Sequence, residues 1–343
     1  MSKFIAGFFF GCVLLLCSCG QHRPEATTVG QDSLGRIELY TAGANKIIDS
    51  QARIEIIGRH YLWSEGPVWV QKKQMLLFSD VRANAIFKWN MHDTPVVYLT
   101  PSGYTDPRPR NGENGSNGLA LDRSGHLLMC QSGNRQVARM NASIDSPKPS
   151  FTILAPDYNG KKFNSPNDLV VDSRGEIFFT DPIYGLPGGA EDPSRELDFE
   201  GVFKISTNGQ VRLLIDSIHR PNGIALSTDE KTLYLGSTDG MHSGWYAYQL
   251  DSNRNIISGG MLLDASSLMA RATIKQGGDG MKIDKYGNLF ASGPDGINII
   301  SPSGTLLGLI RIYRHPVSNC AFDQAKDVLF VTSDDRVLKI NLH

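Results

Sequence analysis

GGDGMKIDKYGNLFASG (Gly277–Gly293) sets one carboxylate, Asp279, among glycines and just ahead of a short apolar run. A polar turn and a second apolar run follow. Five other stretches share the form: SEGPVWVQKKQMLLFSD from Ser64, SNGLALDRSGHLLMC from Ser116, PNDLVVDSRGEIFFTD from Pro166, PNGIALSTDEKTLYLGS from Pro221 and SNCAFDQAKDVLFVTS from Ser318. Each puts an oxygen-bearing side chain (Glu65, Asn117, Asn167, Asn222, Asp279 or Asn319) before an apolar strand. Each then turns through Asp, Ser, Asn or Gly, residues that suit a hairpin. The six positions are spaced by 40 to 57 residues, room for about four short strands each, the size of one propeller blade. No helical 3.6-residue period is sustained. The expected fold is therefore all-β, a six-bladed β-propeller, over residues 51–343. The strand around RIEIIG (Arg53–Gly58) should pair with the C-terminal VLKINL to close the ring.

In such a ring the six polar residues converge on the axis at one end. All six offer oxygen, and only Glu65 and Asp279 carry charge. An oxygen-rich cluster without His or Cys suits hard divalent cations such as Ca²⁺ or Mg²⁺. The same Asx–Gly pairs also make tight turns, which accounts for the asparagines but not for Glu65.

The bulk numbers agree with a globular core: 343 residues, 41% hydrophobic and 20% charged, with 35 Gly and 17 Pro to supply turns. A formal net charge of -1 gives no electrostatic reason to bind nucleic acid. The first residues stand apart. Lys3 precedes an apolar stretch from Phe4 to Leu16, short for a membrane span but suited to a signal peptide. LCSC (Leu16–Cys19) resembles a bacterial lipobox, so residues 1–19 are expected to be a lipoprotein signal with lipidation at Cys19, the alternative being a plain signal peptide. The protein would then be lipid-anchored to the bacterial cell envelope, on a polar tether over 20–50. Of five cysteines, only Cys130 and Cys320 lie in the fold, where each is expected to be a buried small hydrophobe.

The chain resembles the SMP-30/gluconolactonase/luciferin-regenerating-enzyme family, bacterial gluconolactonases in particular. The resemblance rests on EGPVW (Glu65–Trp69), SNGLALD, GNRQVARM (Gly133–Met140), GKKFNSPNDLVVDSRGEIFFTDPIYGL (Gly160–Leu186), RPNGIALSTDEKTLYLGS (Arg220–Ser237) and GGDGMKIDKYGNLFASG, in the family's order. It implies one catalytic divalent cation on the axis, with Ca²⁺ favoured by hardness and Mg²⁺, Zn²⁺ and Mn²⁺ also used in the family. It implies Glu65, Asn167, Asn222 and Asp279 as ligands. The implied activity is hydrolysis of a small-molecule lactone, typically a sugar aldonolactone such as glucono-1,5-lactone, and in some members esters or organophosphates. Asp279 would also serve as the base, with Asn117, Asp168, Tyr184 and Ser132 toward the substrate. Two departures bear on the substrate. Ser165 stands where mammalian members have an Arg, and Gln131 and Ser132 stand where bacterial members commonly have Glu and His. No HExxH spacing, G-x-S-x-G elbow or phosphate loop competes with this reading. A non-catalytic propeller that binds a sugar or a protein is the alternative of another class.

The leader generates one prediction. Wild-type protein in a bacterial host should incorporate labelled fatty acid, and Cys19→Ala should abolish the label. Unlabelled wild type recovered from the cytoplasm would contradict the lipobox reading.

Overall fold

The computed structural model describes Met1 and residues 33–343. Cys19 and the rest of the leader lie outside them. Residues Leu34–His343 form one compact unit of six antiparallel sheets. The innermost strands, in chain order, are Ser64–Val70, Leu119–Leu121, Leu169–Val171, Pro221–Leu226, Met281–Ile283 and Asn319–Phe322. They define blades 1 to 6. Each blade meanders outward from its innermost strand, and adjacent innermost strands pack side by side around a closed ring. This is the six-bladed β-propeller expected from the repeats.

The second strands explain why the sequence shows apolar runs rather than strict alternation. Met75–Asp80, Leu127–Gln131, Ile177–Asp181 and Leu289–Gly293 are buried along their whole length, because each faces a neighbouring blade on both sides. Apolar side chains collect in six cores, one between each pair of neighbouring blades. Cys130 and Cys320 are free and buried within these cores.

Closure is made by the N-terminal segment. Ile54–Arg59 pairs with Arg336–Asn341, with Ile54 opposite Ile340 and Ile56 opposite Leu338. The anticipated partners are thus joined, and the outer edge of blade 6 is covered. The tether expected over 20–50 is corrected at its C-terminal end. Gly35–Leu39 is a strand, paired antiparallel with Leu306–Ile312 as a fifth strand on blade 5. Ile37 is buried, and Ile48 after it is fully buried in the core between blades 5 and 6. GRIEL carries only two apolar side chains, too short a pattern to separate from the polar segment before it.

Closure makes Leu338 a test position, since it is fully buried on the C-terminal half of the seam. Leu338→Ala should cost about 2–5 kcal/mol by chemical denaturation. Glu55→Ala, on the partner strand but facing solvent, should change stability by less than about 0.5 kcal/mol. Equal effects would mean the seam does not close the ring.

Candidate active site

The six polar residues that open the repeats lie at the start of the innermost strands or two residues before them, and all six are buried. Contacts between neighbouring blades link them into a ring. Ser79 Oγ donates to the Asn117 carbonyl at 2.8 Å and Gly118 N to the Asn167 carbonyl at 2.7 Å. Thr180 Oγ1 donates to the Asn222 carbonyl at 2.6 Å, and Gly280 N to the Ser318 carbonyl at 2.8 Å. Ser318 Oγ donates to the Ser64 carbonyl at 2.7 Å, across the seam. The backbone is thereby spent on the ring, and the side chains are left to face the axis.

The glycines after these residues serve the same convergence. A Cβ on Gly223 would lie 2.2 Å from the Asp279 carbonyl oxygen, and one on Gly280 would lie 2.0 Å from Asn319 Cγ. Neither glycine has a positive φ. They are close-approach positions, not positive-φ turn formers.

Blade 3 has Asp168 where blades 1, 2, 4 and 5 have glycine. Its Oδ1 accepts from Leu169 N at 2.8 Å, and its Oδ2 accepts from Asn319 Nδ2, of blade 6 opposite, at 3.2 Å. Asn319 Nδ2 also donates to Glu65 Oε2 at 3.3 Å. Asn319, readable from sequence as a turn residue, is a bridge between two carboxylates. Asp279 Oδ2 accepts from Gln276 Nε2 at 3.4 Å, and Gln276 Oε1 accepts from Val317 N at 3.1 Å. Gln276 therefore orients Asp279 from the backbone of the next blade.

What remains unpaired points to a cation. Among the described residues, four buried side-chain polar atoms lack a partner: Asn117 Oδ1, Asn167 Oδ1, Asp279 Oδ1 and Trp245 Nε1. Three are oxygens of the axial set. Buried acceptors without donors are costly, and an oxygen-only donor set fits a hard divalent ion. Burial, with the charges of Asp168 and Glu113, pushes Glu65 up to about 8. Burial, with the charges of Glu65 and Asp168, pushes Asp279 well above the usual carboxylate range. Without a cation these acids favour their protonated forms. Glu65, Asn167, Asn222 and Asp279 could hold the ion, with Asn117 beside them.

The other sequence candidates fall nearby. Tyr184, on the loop after blade 3's second strand, hydrogen-bonds Thr238 Oγ1 through its hydroxyl, and the Arg220 guanidinium stacks on its ring at 5.9 Å. Burial pushes its phenol up to about 12, and the Asp279 charge adds to this. Ser132 is buried, and its Oγ donates to the Pro166 carbonyl at 2.7 Å, next to Asn167. Gln131 Nε2 is engaged with the Ser102 carbonyl at 2.9 Å. Gln276 and Glu113 had not been singled out. The available signals were an amide three residues before Asp279 and a lone acid in a Gly-rich lead-in, NGENGSNG.

The model of the SMP-30/Gluconolactonase/LRE-like region matches residues 63–335. The chain belongs to this SMP-30/gluconolactonase/LRE-like family. A gluconolactonase of Zymomonas mobilis subsp. mobilis is 36% identical over 324 residues, covering 94% of this chain and 90% of that one. The solved gluconolactonase XC5397 of Xanthomonas campestris is 28% identical with a TM-score of 0.76, covering 90% of this chain and 95% of that one. A calcium-binding regucalcin of Agrobacterium tumefaciens shares the fold, at 16% identity and a TM-score of 0.64, over 84% of this chain and 94% of that one. Family members thus include calcium-binding proteins.

Two predictions follow from the geometry. Gly280→Ala should force Asn319 off Glu65 and Asp168, costing about 1–3 kcal/mol and weakening cation binding by calorimetry. Unchanged binding would remove Asn319 from the site's support. The second concerns pH. In cation-free protein, Glu65 sits above its ordinary value, so its protonated form stabilises the fold. That contribution is complete below about 4.5 and is lost as pH rises through about 8. EDTA-treated protein should therefore lose melting temperature between these limits. Cation affinity should rise over the same window, by up to about a decade per pH unit for each proton displaced. A flat profile would contradict the raised values.

Proposed function

We propose that this chain is a divalent-cation-dependent lactone hydrolase acting on a sugar aldonolactone such as glucono-1,5-lactone, and that it works lipid-anchored at the cell envelope through Cys19. The observation that carries the catalytic reading is the set of buried, partnerless oxygens on Asn167 and Asp279 beside Glu65. The 36% identity to a gluconolactonase over nearly the whole chain supports the substrate class. Ca²⁺ is the proposed ion because the donors are all oxygen.

Glu65, Asn167, Asn222 and Asp279 would hold the cation. When bound, it supplies Lewis acidity at the lactone carbonyl. Asp279 takes a proton from the attacking water as the water oxygen bonds to the carbonyl carbon. The ring C–O bond then breaks, and that proton passes to the departing ring oxygen, leaving a hydroxy acid. Gln276 keeps Asp279 Oδ2 in place, so that Oδ1 faces the axis. Asn319 donates to both Glu65 and Asp168 and so offsets part of their mutual repulsion. Tyr184 walls the pocket near Asp279, and its raised phenol stays a neutral donor at working pH.

Two substitutions separate base from ligand. Asp279→Asn and Glu65→Gln each remove one charge from the ion site, but only the first removes a base. At saturating Ca²⁺, Asp279→Asn should lower kcat for glucono-1,5-lactone by roughly 10²-fold or more beyond the Glu65→Gln loss. Equal losses would leave Asp279 as a ligand only. Full activity in both, or wild-type activity resistant to EDTA, would favour a cation-independent hydrolase, and no hydrolysis by wild type would favour a non-catalytic propeller.

A further inference from the structure

Three of the innermost strands are only three residues long: Leu119–Leu121, Leu169–Val171 and Met281–Ile283. Their middle residues are Ala120, Val170 and Lys282. Blade 5 thus puts a charge where its counterparts are apolar, in the wall of the channel along the propeller axis. Lys282 is half-buried and lines a cavity of about 580 Å³ at the far end of the innermost strands, with Trp69, Val170, Ala225 and Phe322. Its ammonium reaches toward the axial site. Nζ donates to the Met281 carbonyl at 3.0 Å and to Asn319 Oδ1 at 3.4 Å. No carboxylate among the described residues pairs with it directly. The nearest acids on its path are Glu65 and Asp168, at the other end of the Asn319 amide, whose Nδ2 donates to them at 3.3 and 3.2 Å.

We infer that Lys282 sets the charge balance of the axial site: its ammonium opposes the cation, which keeps the ion exchangeable, and leaves it more electron-poor toward a lactone carbonyl. The second half rests on the lactone-hydrolase reading, and the first does not. Lys282 has two conceivable effects of opposite sign. It could brace the Asn319 amide and so favour the ion, or it could repel the ion by charge. The amide does not need the brace. Asn319 Oδ1 already accepts from Cys320 N at 2.8 Å, a shorter bond than the one from Lys282. The amide also lies against the Gly280 backbone, where an added Cβ would come within 2.0 Å of Asn319 Cγ. What the ammonium adds is therefore charge, one amide away from two carboxylates. A divalent ion among Glu65, Asp168 and Asp279 leaves one negative charge over, and the ammonium matches it. Without Lys282 that surplus would hold the ion more tightly and blunt its pull on a bound carbonyl. Salt screens such partly buried charges little.

The test pairs calorimetry with turnover in two variants. Lys282→Met keeps an unbranched stem and removes the charge, and its apolar side chain suits a position matched by Val170. Lys282→Arg keeps the charge. By calorimetry, Lys282→Met should bind Ca²⁺ roughly 10-fold more tightly than wild type. Tb³⁺ carries half again the charge and should gain roughly 30-fold, whereas a change in packing would move both ions alike. Lys282→Arg should stay within about threefold of wild type for either ion. At saturating Ca²⁺, kcat for glucono-1,5-lactone should fall roughly fivefold or more in Lys282→Met, although the ion is held more tightly. A merely distorted site would lose both affinity and turnover. Tighter ions in Lys282→Met with no lactone turnover by wild type would remove the lactonase reading and its consequence for kcat, and would support the charge balance. Weaker or unchanged Ca²⁺ binding in Lys282→Met, equal gains for Ca²⁺ and Tb³⁺, the same gains in Lys282→Arg, or an undiminished kcat in a wild type that turns over the lactone would overturn the inference.

Discussion

The Asn319 side-chain amide is the contact on which the axial site depends. It donates at once to Glu65 of the neighbouring blade 1 and to Asp168 of blade 3 opposite. Three buried carboxylates from blades 1, 3 and 5 approach one axis, where each repels the others. Such a cluster persists only if donors or cations answer it. One amide and the Gln276 side chain answer part of that demand. The oxygens of Asn117, Asn167 and Asp279 remain without a partner, and this unmet demand is what motivates the proposed cation.

That demand reaches outward through the fold. The axial side chains can converge only because glycines at 223 and 280 let the Asp279 backbone and the Asn319 side chain of the next blade come within contact, and because the blades are held shoulder to shoulder by six apolar cores. Closure by Ile54–Arg59 on the last blade keeps the ring from opening. Asn319 of blade 6 and Glu65 of blade 1 lie on either side of that seam. The seam and the site are thus one structural problem: splaying blade 6 from blade 1 would separate the donor from its acceptor.

Much of this was legible in the sequence. Recurrence of an oxygen-bearing residue before each apolar run placed all six axial positions, because blade register fixes them. The RIEIIG–VLKINL closure was legible for the same reason. What escaped is what register does not determine. Gly35–Leu39 joins blade 5 through a five-residue strand with no repeat partner. Asn319 looks like any turn asparagine until the facing acids are known. Asp168 takes a glycine's place in the repeat, which marked it as different but could not say that it reaches across the axis. Glu113 and Gln276 lie on lead-in loops, whose paths are set by hydrogen bonds to neighbouring blades rather than by local pattern.

The account stands on a cation at the axial oxygens. A crystal structure grown with Mn²⁺ and measured at a wavelength where manganese scatters anomalously tests this directly. The predicted result is one strong anomalous peak on the propeller axis, within bonding distance of oxygens from Glu65, Asn167, Asn222 and Asp279. An axis filled only by water, or a peak held by other residues, would contradict it.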